Sequence, residues 1–285
     1  MKQKNTENFM DSKNYHDDTS RISKSGLDLM NRSPAHYYAR YLDPNRLPQP
    51  YKQHFVIGSI THSCILEPDK LEKEFFVLKD ADIVKRIGGG NPRSTNEYKA
   101  WKAEQMAIAA GRQHVTQEEF DSVRRMRDAV FAHPAASVLL SDGTPEYFAT
   151  WEDPDTGAPC KLKTDWLSAT GFITDLKTTD DARPDGFGRS AWNYRYHVQG
   201  AFYTDGMNAN FPDSPARGFV FIAVEKEAPH AVQVYAMDDD AFELGRDAYK
   251  RNLEMYMSCR IQGEWPAYPT EITRLRFPTY AYKKL

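Results

Sequence analysis

The stretch that most limits what this chain can fold into runs from Cys160 to Thr179. It reads as two strands joined by a short turn at Ser168 to Gly171. Asp165 falls late in the first strand, and Asp175 and Lys177 late in the second. Strand side chains alternate between faces, so residues two apart point the same way. Asp175 and Lys177 then share a face, while Leu176 between them turns into the core. This places two carboxylates and one ammonium together at the edge of a sheet. Hard oxygen donors of this kind suit Mg²⁺ or Mn²⁺, and the backbone carbonyl of Leu176 is a further oxygen within the same turn of strand. A lysine beside such an ion can orient or deprotonate a water.

The surrounding sequence supplies the rest of a layered domain. Residues 1–20 are polar and without apolar period, which predicts a frayed tail. Ser25 is the expected N-cap of a short helix carrying Leu27 and Met30, and Ser33-Pro34 starts the next. The mostly apolar run from Phe55 to Pro68 predicts a buried helix with His62 as the titratable group in its middle. Phe75–Leu78 reads as a strand, and the glycine-rich, charged residues 80–96 as a flexible loop. Its three consecutive glycines lack the Gly-Lys-Ser/Thr ending of a phosphate loop. Helical spacing covers 97–110 and 116–132, the second opened by the capping box Thr116 to Glu119.

Glu146 to Trp151 alternates and reads as a strand. A turn signal at Asp153 to Gly157 follows, so residues 145–178 are expected as a three-stranded antiparallel meander with Glu146 near the same sheet edge. A short helical turn within 180–193 precedes a helix over 194–208. There Tyr196, Gln199 and Tyr203 fall at i, i+3 and i+7 and form one stripe, a half-buried packing surface that can also hold a nucleobase, a phosphate or the catalytic lysine. Gly218–Val224 is a continuous apolar run, hence a buried strand. A second strand over 230–236 and an amphipathic helix over 238–263 complete the series.

Composition sets the bounds. The net charge of −3 gives no global basic field, so a polyanion partner has to be recognised by a local patch. Three scattered cysteines, Cys64, Cys160 and Cys259, show no zinc-type or iron–sulfur spacing. There is no apolar leader and no run of membrane-spanning length, so a soluble, cytoplasmic protein is expected.

The element order, helix, helical insertion, meander, helix and strand, resembles the α-β-β-β-α-β core of the PD-(D/E)xK nuclease superfamily. Asp165, a gap of ten, and Asp175-Leu-Lys177 are similar to its motif. Gln199 to Tyr203 resembles the Gln-x-x-x-Tyr element of its RecB-type branch. More narrowly, the chain resembles the exodeoxyribonuclease VIII (RecE-type) family. The resembling segments are Ile22–Leu27, Ser33–Ala35, Gly58–His62 with Leu66–Pro68, Trp151–Gly157, Asp175–Thr179 and Tyr194–Tyr203, in that order.

The resemblance implies an α/β (α+β) fold: a restriction-endonuclease-like core with a central mixed sheet flanked by helices, and N-terminal helical additions. Residues 21–285 would form a single domain with a helical insertion at about 80–140. It implies a Mg²⁺-dependent 5′→3′ exonuclease (Mn²⁺ as a substitute) acting on linear double-stranded DNA ends. The product would be a 3′ single strand on which a RecT-type annealing partner loads, and the protein would be a ring-shaped homo-oligomer often encoded by phages. The implied catalytic residues are Asp165, Asp175, Lys177 and His62, with Gln199 and Tyr203 bracing Lys177 or the DNA. The implied metal set is Asp165, Asp175, Leu176, His62 and Glu146. A Thr precedes Asp165 where such families often have Pro. Single-strand or endonucleolytic cleavage, and a non-catalytic DNA-binding module, are the competing readings.

Overall fold

The computed structural model describes residues 12–46 and 53–277. Its strands are β1 Phe75–Leu78, β2 Gln113–Thr116, β3 Gly143–Pro145, β4 Phe148–Glu152, β5 Pro159–Lys163, β6 Trp166–Ser168, β7 Phe172–Thr179, β8 Gly218–Glu225 and β9 Val232–Ala236. The central sheet has the order β3-β6-β7-β8-β9. Only the β7–β8 pair within it is parallel, so the sheet is mixed. Parallel neighbours need a crossover.

The helices are α1 Ser12–Asp17, α2 Lys24–Arg32, α3 Pro34–Tyr37, α4 Gln53–Leu66, α5 Leu71–Glu74, α6 Ala81–Ile87, α7 Asn96–Ala109, α8 Gln117–Ala132, α9 Pro134–Leu140, α10 Pro184–Asn193, α11 Tyr196–Asn210 and α12 Asp239–Gln262. The crossover from β7 to β8 is made by α10 and α11. The period of two in β8 sorts the core into two layers. Phe219, Phe221 and Ala223 pack with α2, α11 and α12, whereas Ile222 and Val224 pack with Leu176, α4 and α8. The expected central mixed sheet flanked by helices is therefore present, and α8 is part of its second layer.

Several local expectations are corrected. The proposed sheet edge is in fact the middle: β7 lies third of five strands. The meander is a bent hairpin rather than three continuous strands. Its arms run together as β3 with β6, break at Glu146 and Asp165, and continue as the separate two-stranded pair β4–β5. Glu146 takes the left-handed φ of +50° at the corner. The arms stay joined there through Glu146 N–H to Asp165 O (3.0 Å) and Thr164 N–H to Tyr147 O (2.9 Å).

Residues 12–20 are not a frayed tail. The ammonium of Lys161 donates to the carbonyls of Tyr15 and Asp18, and Tyr15 is buried beside Phe148. Residues 1–11 lie outside the described residues, as does most of the proline-rich loop at 43–53. The cap of α2 is Ser23, whose hydroxyl accepts from Gly26 N–H, rather than Ser25. The expected loop at 80–96 contains α6, because buried Asp80 anchors it through Arg93 Nε and Tyr98 O–H, both at 2.9 Å. Parallel β2, paired with β1, was not foreseen. Cys64, Cys160 and Cys259 are separately buried free thiols. Among the described residues no helix is long and apolar enough to cross a membrane.

One close approach sets where α11 sits. A Cβ on Gly245 of α12 would lie 2.1 Å from the carbonyl oxygen of His197 in α11. The obstacle is backbone, so a side chain here must push the helices apart. Gly245→Ala is expected to cost about 1–3 kcal/mol despite alanine's better helix propensity, read as a lowered thermal unfolding midpoint.

Candidate active site

The site forms where the bent hairpin leaves the sheet. β6 pairs with β7 only as far as Trp166 opposite Thr174. Beyond that point the N–H of Leu176 would lack a ladder partner, and a buried unpaired amide is costly. Asp165, at the corner, supplies the acceptor: its Oδ2 receives the Leu176 N–H at 2.8 Å. The same oxygen faces His62 Nδ1 of α4 at 3.5 Å. The bend thus brings Asp165 against the central strand and under α4.

Asp175 and Lys177 point toward α11, as alternation requires. Asp175 is only 1% exposed. Its Oδ1 accepts from Nε2 of Gln199 on α11. Its Oδ2 is buried without a hydrogen-bond partner, and the Lys177 ammonium stands 2.6 Å away as counterion. Lys177 Nζ also lies over the Tyr196 ring, 4.8 Å from its centroid, a cation–π contact. Gln199 therefore braces Asp175, whereas the expectation left Lys177 or DNA as its target. Tyr203, one turn on, is buried and packs edge-on to Phe219 at 6.2 Å. Burial, with Asp175 and Asp165 adding, holds its phenol well above the usual range, so it stays neutral.

Glu146 stands at the other side of the corner, ion-paired with Lys163. It shares with His62 a cleft of about 660 Å³ that also involves His16, Gly58, Ser63 and Glu67. The structure thus brings Asp165, Asp175, the Leu176 backbone, Lys177, His62 and Gln199 into one connected set, with Glu146 on the adjoining cleft. Tyr196 is the member of the stripe that meets Lys177, one of the roles the stripe pattern allowed.

The electrostatics follow from burial. Asp165 is pushed up to about 6, first by burial and then by the Asp175 carboxylate, against the pull of His62 and Lys177. Burial works against the charge of Lys177, but Asp175 and Asp165 outweigh it and raise its pKa, so it is an ammonium at neutral pH. In this state its amine carries no free lone pair to accept a proton.

Among the described residues no three His, Cys, Asp or Glu side chains form a preformed cation cluster. The donor chemistry nevertheless fits a hard divalent cation. Asp175 Oδ2 is a buried carboxylate oxygen whose near partner is the Lys177 ammonium at 2.6 Å, and Asp165 is a second carboxylate kept from easy ionisation by burial and by its like-charged neighbour. Asp165, Asp175 and the Leu176 carbonyl are the oxygens that would hold such an ion.

A pH dependence follows. Because the folded pKa of Asp165 is raised above its unfolded value, the group favours the fold most below about pH 4, and that contribution is lost as pH rises through about 6. Cation binding requires the ionised form and reverses the trend. Apparent Mg²⁺ affinity is expected to fall about tenfold for each pH unit below about 6. The shift in melting temperature with Mg²⁺ at pH 5, 6, 7 and 8 measures it, and an equal shift at all four would contradict the assignment.

A candidate exonuclease from Eubacterium rectale has the same overall fold, with a TM-score of 0.63 over 96% of this chain and 98% of that one at 13% identity. A phage-related exonuclease from Haemophilus somnus 129PT overlaps 66% of this chain and 97% of its own at 10% identity and a TM-score of 0.33. An alkaline exonuclease from Laribacter hongkongensis overlaps 72% and 97% at 11% identity and a TM-score of 0.28. No curated protein matches the sequence. The model of the PDDEXK-like domain of unknown function (DUF3799) matches residues 23–277, and with nearly the whole body of the fold inside that match, the chain belongs to this family.

Proposed function

We propose that the protein is a divalent-cation-dependent nuclease, and more narrowly a 5′→3′ exonuclease that degrades one strand of linear duplex DNA and leaves a 3′ overhang. The observation that carries the nuclease reading is the buried Asp175 carboxylate. Gln199 holds one of its oxygens and the Lys177 ammonium faces the other at 2.6 Å, with Asp165 on the adjoining strand end. When bound, a divalent cation supplies Lewis-acid charge against the scissile phosphate and activates water for attack.

The chain's own residues do the rest. Asp165 and Asp175 would hold the cation. Gln199 keeps the Asp175 plane from turning. The Lys177 ammonium faces the negative charge that grows on the phosphate oxygens and is worth most in a site shielded from water. His62, 30% exposed at the cleft and 3.5 Å from Asp165, would hold an attacking water.

The finer reading, with its linear-duplex substrate, ring-shaped homo-oligomer and RecT-type annealing partner in recombination, rests on the RecE-type motifs at Ile22–Leu27, Gly58–His62 and Tyr194–Tyr203. The test is nucleotide release with Mg²⁺ from linear duplex, single strand and closed circular duplex, side by side. Release from linear duplex alone supports the exonuclease. Cutting of the closed circle moves the assignment to an endonuclease, and preference for single strand changes the substrate. No cleavage of any of them would refute the nuclease reading.

A further inference from the structure

Two large aromatic side chains stand in water next to the site. Trp192, in the last turn of α10, is 63% exposed, and Tyr194, in the link between α10 and α11, is 65% exposed. Isolated exposed apolar side chains are ordinary. What distinguishes these is how firmly the chain presents them. Arg195, after Tyr194, holds a left-handed φ of +56°, which costs a non-glycine residue free energy unless its surroundings enforce it. They do: its guanidinium donates to Leu27 O at 3.2 Å, Asp28 Oδ1 at 3.1 Å and Asn252 Oδ1 at 2.7 Å. Lys24 Nζ donates to the carbonyl of Tyr194 at 2.8 Å and pairs with Asp28 at 2.8 Å. Residues from α2 and α12 thus lock the backbone beneath an exposed ring.

Contacts run from Tyr194 to the reacting centre, while Trp192 packs on the start of α11. Trp192 stacks on His197 with centroids 5.1 Å apart and planes 11° apart. Tyr194 stacks on Tyr196 at 5.8 Å and 24°, and Tyr196 carries the Lys177 ammonium over its ring. An exposed aromatic surface therefore begins one ring away from the lysine that faces the phosphate, with the Lys24 ammonium beside it. A flat, exposed π-face fits a nucleobase, and stacking of this kind tolerates any base. Bases inside a duplex are stacked on each other and cannot offer a free face; a frayed terminal base can.

We propose that Tyr194, assisted by Trp192, is a stacking subsite for the unpaired nucleobase next to the cleaved phosphate, so that the end of the substrate is unstacked before cleavage. This rests on the nuclease reading and adds a positioning residue to it. The test uses the full chain and a DNA duplex whose terminal linkages are phosphorothioate and whose terminal base is 2-aminopurine, a fluorophore that reports stacking. Wild type is expected to quench it on binding. Tyr194→Ala should lose the quenching and bind the end about 5- to 150-fold more weakly, the range found per stacked base. Tyr194→Phe should keep both, because the ring and not the hydroxyl does the stacking.

If the alanine and phenylalanine variants quench and bind like wild type while wild type cleaves DNA, the subsite is wrong and the nuclease stands. If wild type neither binds nor cleaves any DNA, the underlying reading has failed. If Tyr194→Ala changes only the oligomeric mass, the patch is a contact between copies and the proposal is overturned.

Discussion

Lys177→Ala is expected to lower the single-turnover rate of DNA cleavage by about 10²–10³-fold, the usual loss when one preorganised charge facing a transition state is removed. DNA affinity should change little, since the backbone of a duplex is held by many contacts and Lys177 is one of them. Stability should respond separately. The substitution leaves Asp175 buried with Gln199 as its remaining partner. Removing one member of a buried pair costs about 3–5 kcal/mol, and the lower end applies because the Lys177 side chain is 19% exposed. A divalent cation can replace the lost counterion, so the variant should gain more melting temperature from Mg²⁺ than wild type does. Cleavage at the wild-type rate would remove Lys177 from the mechanism. A smaller Mg²⁺ shift than wild type would place the cation elsewhere.

Asp175→Asn is expected to abolish cleavage and Mg²⁺-induced stabilisation together while the domain still folds. Asparagine keeps an oxygen for Gln199 and removes the charge that would hold the ion. Loss of an outer-shell partner alone costs about 10–100-fold in metal affinity, so loss of a direct ligand should cost more than that. A second readout is independent of activity. The Asp175 carboxylate is, after burial, the main cause of the raised pKa of Asp165. The Asn variant should therefore move Asp165 down from about 6 toward the ordinary carboxylate range, as followed by carbon NMR of the carboxyl group. An unmoved Asp165 would mean that the two carboxylates do not share a site.

Much of the fold was legible because it depends on short-range period. The alternation of Asp175, Leu176 and Lys177, the apolar run of β8 and the capping box of α8 all appear in the structure as read. The helical spacing of Tyr196, Gln199 and Tyr203 also placed them on one helix, α11. The order in α1 and α6 was missed because it depends on buried tertiary partners, Lys161 beneath Tyr15 and Asp80 between Arg93 and Tyr98. Low local hydrophobicity gives no sign of such partners.

The sequence by itself determined which residues share a face and which run must be buried, because side-chain direction repeats every two residues in a strand and about every 3.6 in a helix. Only the tertiary structure decided that β7 is the central strand, that the hairpin turns at Glu146, and that Asp165 swings in to take the N–H of Leu176. The last of these follows from where β6 stops pairing with β7, which leaves the Leu176 N–H to Asp165. These outcomes are contacts between distant segments, and no local pattern encodes them.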